Sequence, residues 1–305
     1  MKILSICGGG IKGAIPAMFL AALEGKVGPL YKVFDLIAGT STGGILAIGL
    51  ALGIPASTLA GFYPIQGPEI FKRRWTSYFG IHDSKYDVVN LQKILDKAFE
   101  GKRFSDVKTR VMVTSSNLKT LNGTFFNSWT NGNLLASVAG TCTSAAPTYF
   151  DPFHSMADGG LFANDPSLFA LVQASTLVPT QPIDVHQLLD LKCPPPTVGA
   201  ISGIGLAGFA PHAIDIFMDT GMNTMAESCE QLLGNNFLQL IPSPGKASHA
   251  MDNVSPKNLK ALTDAGHEFA AWAVPEAEKF LLADIATPIQ ETNVLVKDLH
   301  EQVLK

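Results

Sequence analysis

A serine lies between two glycines in the segment Gly39-Thr40-Ser41-Thr42-Gly43, which has the form of a nucleophile elbow. The segment follows a strand-like run at residues 33–39 and leads into a helical run of small and apolar residues. A sharp turn from strand to helix strains the central residue, and larger side chains at Gly39 and Gly43 would collide there. The turn also places the Ser41 hydroxyl near unpaired N–H groups at the helix N-terminus. This context favours a covalent nucleophile at Ser41 over an ordinary glycine-rich turn.

A second glycine-rich turn, Gly8-Gly9-Gly10-Ile11-Lys12-Gly13, follows a strand-like run at residues 2–7. It fits G-x-G-x-x-G, the dinucleotide fingerprint, which also requires an acidic residue at the C-terminal end of the second strand. The nearest acid, Asp35, stands at the start of that strand, and Ser41 follows its far end. We therefore interpret the loop as a set of N–H donors aimed at the carbonyl oxygen of an ester that Ser41 attacks.

A third segment supplies a base for this serine. Asp158 is followed by Gly159 and Gly160, and then by a helical pattern with Pro166 near its first turn. Taken alone, the segment is typical of a simple turn. Because it follows the other two segments in order, we expect Asp158 to accept the proton of Ser41.

The ordered set of these three segments resembles the patatin-like phospholipase family, which has a glycine-rich oxyanion loop, a GxSxG elbow and an Asp-Gly-Gly/Ala motif. Three further stretches are similar to the family: residues 83–86, 143–150 and 163–166. The resemblance is specific over residues 3–170 and continues weakly to residue 262. It implies a Ser41/Asp158 dyad that requires neither metal nor cofactor.

The resemblance also implies roles for the glycines around the dyad. Gly8, Gly9 and Gly10 would supply the oxyanion donors, and further motif residues would support the turns, namely Lys12, Gly13, Gly39, Gly43, Gly159 and Gly160. The chain departs from the family pattern in carrying Cys7 where an aspartate is usual and Lys12 in place of arginine. It also lacks the Ser-Leu-Gly-Thr-Gly strand, whose neighbourhood is occupied by residues 189–194. We expect Cys7 to be a small buried residue, with a thiol nucleophile as the alternative.

A dyad without histidine requires a basic aspartate. The ordinary pKa of a carboxyl group is near 4, and an apolar pocket raises it. The alternative is a triad in which a histidine after the acid assists, so the histidines to consider are His186, His212, His249, His267 and His300. None of them lies in a glycine-containing loop directed at the site. His154 precedes Asp158 by four residues, and an exposed loop position suits it better.

Alternating strand-like and helical patterns predict an α/β protein, a three-layer α/β/α fold with a mostly parallel central sheet. We place strands at 2–7, 34–38, 110–115 and 124–127, and helices at 14–25, 43–53, 88–99 and 166–177. No charge run, repeat or linker divides the 305 residues. We therefore expect one domain over 1–305, with 171–305 completing the fold.

Composition limits the partners. Charged residues make up 16%, hydrophobic residues 47%, and the net charge is −4, so a nucleic-acid partner is not expected. Four cysteines without a C-x-x-C pattern predict reduced thiols with neither zinc nor disulfides. No basic segment precedes the first strand, which favours a cytoplasmic location. The oligomeric state stays open.

Two segments suggest contact with lipid. The uncharged stretch 194–214 contains several prolines and glycines that disfavour a spanning helix, so we expect an apolar cap over the acyl site or a packed loop. Lys72, Arg73 and Arg74 stand beside Phe71, Trp75, Tyr78 and Phe79, which suits either a solvated loop or peripheral membrane docking. We expect serine hydrolysis of a phospholipid or related acyl lipid. The alternatives are an acyltransferase with the same dyad and a catalytically silent lipid-binding or storage protein.

Overall fold

The computed structural model describes residues 1–74, 84–195 and 213–283. The expectations for Trp75, Tyr78, Phe79, His212 and His300 lie outside the described residues, as does most of the stretch 194–214. No helix in the described ranges has the length and apolar character that a membrane span needs.

The described residues form a seven-stranded sheet whose main path has the order β4-β3-β2-β1-β6-β7. In chain order the strands are β1 (Lys2–Ile6), β2 (Leu36–Gly39), β3 (Arg110–Asn117), β4 (Asn122–Asn127), β5 (Met156–Asp158), β6 (Gln187–Leu191) and β7 (Phe237–Leu240). The strand pairs β1–β2, β1–β6, β2–β3 and β6–β7 are parallel. Strands β4 and β5 both run antiparallel to β3. The predicted α/β class with a mostly parallel central sheet is confirmed.

Helices surround this sheet. In chain order they are α1 (Ala14–Val27), α2 (Leu30–Val33), α3 (Thr42–Ala51), α4 (Ala56–Ile70), α5 (Val88–Phe99), α6 (Ala136–Ser144), α7 (Gly160–Ala163), α8 (Ser167–Leu177), α9 (Ala213–Leu233) and α10 (Pro256–Leu282). Each of the four strands and four helices placed from the sequence is present, with ends shifted by at most two residues. Residues 36–68 carry no charged side chain and form β2, α3 and most of α4, a helix that tolerates Pro64 and Pro68 in its interior.

Both faces of the central strands are buried, because residues alternate between two apolar cores. One core joins alternate strand residues to helices α8 and α9 and contains Ile3, Leu36, Ala38, Met112, Leu188, Leu171 and Cys229. The other face packs against α1, α3, α4, α5 and α10 and contributes Leu4, Ile6, Ile37, Val111, Val113 and Leu189. This arrangement is the predicted three-layer one.

The topology brings the three glycine-containing segments together. The first glycine loop follows β1 and the elbow follows β2, and these two strands are parallel neighbours in which Ile6 pairs with Gly39. Asp158 ends β5 and pairs with Ser115 near the C-terminal end of β3. Sites in open α/β sheets form at the carboxyl ends of the strands, which is where these segments meet.

Candidate active site

Ser41 occupies a strained turn between β2 and α3. Its backbone angles are φ 56° and ψ −126°, which a residue other than glycine rarely adopts. A Cβ atom on Gly39 would collide with the Gly43 carbonyl, and one on Gly43 would collide with the Ile6 carbonyl. The Ser41 amide donates a hydrogen bond of 2.9 Å to Thr143 Oγ1, which fixes the turn to helix α6. The turn can form because Gly39 and Gly43 permit these close backbone contacts.

Asp158 lies beside the serine and is 3% exposed. Burial raises its pKa from 3.8 to about 6, although hydrogen bonds with the Ser41 side chain and the Gly160 amide act in the opposite direction. The Gly160 amide donates to Asp158 Oδ1 at 2.7 Å. The backbone around Asp158 is also fixed, because its amide donates to Ala145 O at 3.0 Å. A buried carboxylate in contact with a serine hydroxyl has the geometry of a nucleophile and its base.

The three glycines after β1 differ in whether their amides can act as oxyanion donors. The Gly8 amide donates to Asn164 O at 3.1 Å, so it is already committed to a backbone hydrogen bond. Gly9 and Gly10 line the same cavity as Ser41. Gly9 and Gly10 therefore stay candidate oxyanion donors, whereas the Gly8 amide is already engaged and anchors the loop.

The supporting motif residues are closely packed. Lys12 is 3% exposed, and its ammonium donates to Pro194 O at 2.9 Å, which ties the loop to the segment after β6. A Cβ atom on Gly13 would collide with the side chain of Thr42, and one on Gly159 with that of Thr114. These contacts explain why glycine occupies both positions.

Ser41 and Asp158 share the wall of one cavity. Most of its other lining side chains are apolar or aromatic, among them Ile11, Ile45, Phe62, Ile70, Phe71, Leu91, Phe150, Leu161 and Met251. The cavity is thus suited to a hydrocarbon chain whose reactive end lies at the serine.

Cys7 lies outside that cavity wall, in a buried cluster of charged groups. Its thiol points at Asp190 Oδ1, 3.9 Å away, and the side chain is fully buried. Burial, reinforced by Asp165, holds the pKa of the Cys7 thiol well above its ordinary value. A thiol that stays protonated is a poor nucleophile, which counts against the alternative that Cys7 attacks the substrate.

Lys192 is the cation of this buried cluster. Its ammonium lies 2.5 Å from Asp165 and 3.5 Å from Asp190, and it also donates to Met222 O in α9. Cys7, Asp165 and Asp190 together have the residue types of a metal site. Lys192 already supplies the positive charge between the two carboxylates, so the donor set fits an ion-pair network better than a metal.

The described histidines do not line the cavity. His154, His249 and His267 are exposed. His186 is buried next to the N-terminus of the chain, at the start of β6 and therefore at the opposite end of the strands from Ser41. Among the residues that the structure describes, no histidine lines the cavity beside Ser41 and Asp158 to complete a triad.

The basic segment divides into two parts. Lys72 and Arg73 are exposed directly after Phe71, whose side chain lines the cavity. Arg74 is instead half-buried and pairs with Asp151 at 2.7 Å. Arg74 therefore has a structural partner. Lys72 presents its charge at the surface, and the exposed Arg73 also interacts with Tyr86.

Sequence reasoning did not single out Asn164 or Thr143 as individual site residues. Both lie in stretches that follow the family pattern, and that pattern was the available signal. Asn164 anchors Gly8 through its backbone, and its side-chain amide contacts Met222 Sδ at 3.0 Å. Its role depends on tertiary contacts with α9, which local spacing does not reveal.

Comparison with known proteins gives the same family along most of the chain. The profile of the family described as patatin-like phospholipase matches residues 4–171. A cGAMP-activated phospholipase of Pseudomonas aeruginosa is 33% identical over 297 residues, covering 89% of this chain and 88% of that protein. A cGAMP-activated phospholipase of Vibrio cholerae is 29% identical, with 88% and 90% covered. The solved structure of VipD from Legionella pneumophila aligns with a TM-score of 0.48 and 13% identity, covering 90% of this chain and 66% of that one.

Proposed function

Because this chain belongs to the patatin-like phospholipase family, we propose that it hydrolyses carboxylic esters of phospholipids through a Ser41–Asp158 dyad. The observation that carries this proposal is the interaction of the Ser41 hydroxyl with the buried Asp158 carboxyl on the wall of an apolar cavity. A hydrolase for acyl lipids needs a nucleophile, a base and a place for the acyl chain, and one cavity provides all three.

In the first half of the reaction, Ser41 Oγ attacks the acyl carbonyl carbon while Asp158 takes the hydroxyl proton. The carbonyl oxygen becomes an oxyanion, which the amides of Gly9 and Gly10, two residues of the cavity wall, stabilise. Collapse of the tetrahedral intermediate breaks the ester bond, and Asp158 gives its proton to the leaving alcohol. The product is an acyl-enzyme on Ser41, which water then hydrolyses.

Asp158 is a better base than an ordinary carboxylate. With a pKa of about 6 it is largely ionised at neutral pH and closer in basicity to a histidine than a solvated aspartate is. The same burial removes water from the Ser41–Asp158 contact, which strengthens the electrostatic response to the developing oxyanion. The pair can therefore act without an imidazole.

The nucleophile is tested with a fluorophosphonate probe and a panel of defined phospholipids and neutral esters. Ser41→Ala should abolish both labelling and product formation, as measured by mass spectrometry. Cys7→Ala is the matched control, because it changes the rival nucleophile and should retain labelling. Labelling that survives in Ser41→Ala would refute the assignment. Lyso-lipid and fatty acid as products indicate hydrolysis, transfer to an added alcohol indicates an acyltransferase, and labelling without turnover indicates a silent lipid-binding protein.

We propose that the exposed Lys72 and Arg73 help the enzyme to meet an anionic membrane surface. The cavity-lining Phe71 precedes them directly, so their charges lie near the lipid-binding wall. Replacing both by Gln should lower activity on anionic vesicles about tenfold or more, since each basic residue at such a surface contributes about 1 kcal/mol. Hydrolysis of a soluble short-chain ester is the control and should not change. Equal loss on both substrates would contradict the docking role.

The relatives also suggest a regulator. Two proteins that align with almost nine-tenths of this chain carry the name cGAMP-activated phospholipase. We propose that a cyclic dinucleotide raises the hydrolase activity of this chain as well. The test compares vesicle hydrolysis with no nucleotide, with cGAMP, and with an equimolar mixture of AMP and GMP. Activity that is the same in all three would overturn this part of the proposal.

A further inference from the structure

The wall of the cavity that holds Ser41 and Asp158 has an exposed part and a deeply buried part. At the exposed part, Leu161 is 44% exposed. At the buried part, Ile45 is 8% exposed and Leu91 is 2% exposed. A hydrocarbon chain with its carbonyl carbon at Ser41 can extend into the buried part only as far as these side chains permit.

Helix α3 shows how far the cavity reaches below the nucleophile. Ser41 directly precedes α3, and the Ile45 amide donates to Ser41 O at 3.1 Å. Ile45 is therefore one helical turn, about 6 Å, from Ser41 and on the same face of the helix. Ile45 lines the cavity, whereas Ile48, near the next turn, is fully buried outside its wall. Along α3 the cavity thus ends at Ile45.

Helix α5 shows the same limit. Leu91 lines the cavity, whereas Leu95, one turn further along the helix, is fully buried outside its wall. Side chains of α3 and α5 meet at Gly140 of α6, where a Cβ atom would lie 3.8 Å from Ile48 Cδ1 and 3.1 Å from Leu95 Cδ1. A packed layer therefore lies one turn beyond the wall residues of both helices and closes the cavity at this end.

We propose that Leu91 sets the length of the acyl chain that the cavity accepts. This inference rests on the proposed function. The tail of an acyl chain that is too long meets the Leu91 side chain while the carbonyl carbon is still out of reach of Ser41 Oγ. Leu91 is better suited to a test than Ile45, because Ile45 is hydrogen-bonded to the elbow through its amide, whereas α5 contains neither the elbow nor a residue of the dyad.

The size of the side chain gives opposite expectations for two substitutions. Leu91→Ala removes the side chain beyond Cβ and should lengthen the preferred acyl chain by about two methylene groups. Leu91→Phe places a larger side chain at the same point and should shorten the preferred chain. A residue that only supports the fold would lower the activity on every ester, and its substitutions would not move the preferred length in opposite directions.

The experiment measures kcat/KM for soluble p-nitrophenyl esters from acetate to dodecanoate. The readout is the ratio of kcat/KM for an ester two methylene groups longer than the wild-type optimum to kcat/KM at that optimum, in which unfolded protein cancels. In Leu91→Ala this ratio should rise about tenfold or more, and in Leu91→Phe it should fall, since one methylene group in an apolar pocket is worth roughly tenfold or more in kcat/KM. Leu91→Val is a milder substitution that should move the ratio in the same direction as Leu91→Ala.

Leu95→Ala is the matched control, because Leu95 is a buried leucine on the same helix but lies outside the cavity wall. It should lower the unfolding temperature and leave the ratio unchanged. An unchanged ratio in the Leu91 variants would overturn the proposal, and so would a shift of equal size in Leu95→Ala. Failure of the proposed function is recognised separately, since then Ser41→Ala would still form products. Hydrolysis that depends on Ser41 but shows no Leu91 effect refutes the present inference alone.

Discussion

Asp158 and Asp190 are both buried aspartates near the ends of central strands, yet their surroundings differ. Burial raises the pKa of each. Asp158 bonds to the hydroxyl of a strained serine, faces a cavity, and forms no salt bridge with the described residues. Asp190 is closed off from that cavity and lies 3.5 Å from the ammonium of Lys192.

The difference shows that a raised carboxyl pKa does not by itself identify an active site. In the buried cluster, the negative charges of Asp165 and Asp190 repel each other, and the positive charge of Lys192 compensates for them. This arrangement is structural. Burial acts to lower the pKa of Lys192, but the two carboxylates outweigh it and keep the ammonium charged. At Asp158 the neighbour is instead a reactive hydroxyl that the substrate can reach. Asp158, the proposed base, lines the cavity, whereas Asp190, the ion-pair partner, does not.

The largest expected effect is that of Asp158→Asn on turnover. The amide has nearly the same shape but cannot accept the Ser41 proton, so turnover of a soluble ester should fall by about 10²–10⁴-fold. Thermal unfolding should show no loss of stability, because the change removes a buried charge that has no cation beside it among the described residues. The comparison variant is Asp190→Asn, which should retain turnover per labelled Ser41. Near-normal turnover in Asp158→Asn would contradict the assignment of Asp158 as base.

Lys192→Met should give the largest loss of stability. Removing the ammonium leaves two buried carboxylates without their cation, and breaking a buried pair in this way costs about 3–5 kcal/mol. Denaturant unfolding measures the effect. The matched control is Lys260→Met, because Lys260 forms an exposed pair with Asp264 on α10 and its loss should cost less than about 1 kcal/mol. Equal effects of the two substitutions would show that the cluster is not a stabilising network.

The sequence predicts some of these features better than others. The elbow at Ser41 and the glycine loop follow from local spacing, since a glycine is needed wherever the backbone approaches closely, and the first strands and helices follow from their periodicity. The short strand β5 and the partners of Asp190 depend on segments far apart in the chain. Lys192 and Asp165 are separated by 26 other residues, and no local pattern indicates that they meet in the core. Local spacing likewise does not reveal that the Gly8 amide bonds to Asn164.

The protonation of Asp158 should change activity and stability in opposite directions as the pH falls. Activity should fall about tenfold per pH unit below about 6, because the protonated carboxyl cannot accept the Ser41 proton. Stability should change in the opposite direction. The pKa of Asp158 is higher in the folded state, about 6, than its ordinary 3.8, so the folded state binds more protons between those values. The contribution of Asp158 to stability is therefore fully present below pH about 4 and is lost as the pH rises through about 6.

Rates on a soluble ester and thermal unfolding from pH 4 to pH 8 give both profiles. The difference between wild type and Asp158→Asn isolates the contribution of Asp158, because Asp190 titrates in both proteins. A wild-type profile of activity that is flat between about pH 5 and pH 7 would show that the group that must be ionised for catalysis is not Asp158.

The smallest expected effect is at Asn164, which connects the two regions. Its backbone carbonyl accepts the Gly8 amide, while its side chain bonds to Met222, whose carbonyl also accepts Lys192. The side-chain oxygen lies so close to Gly8 that a Cβ atom there would collide with it. Asn164 therefore restrains the loop that carries the proposed oxyanion donors Gly9 and Gly10.

Asn164→Ala removes the side-chain contacts and leaves the backbone hydrogen bond. Because the oxyanion forms only in the transition state, a looser loop should lower kcat by about tenfold and leave KM unchanged. The control is Asn236→Ala, since Asn236 is equally buried but bonds to Asp184 at the far end of β6. Turnover is counted per labelled Ser41, so that unfolded protein does not contribute. A rise in KM with kcat unchanged would mean that Asn164 shapes substrate binding, and equal losses in the two variants would mean that the side chain supports only the fold.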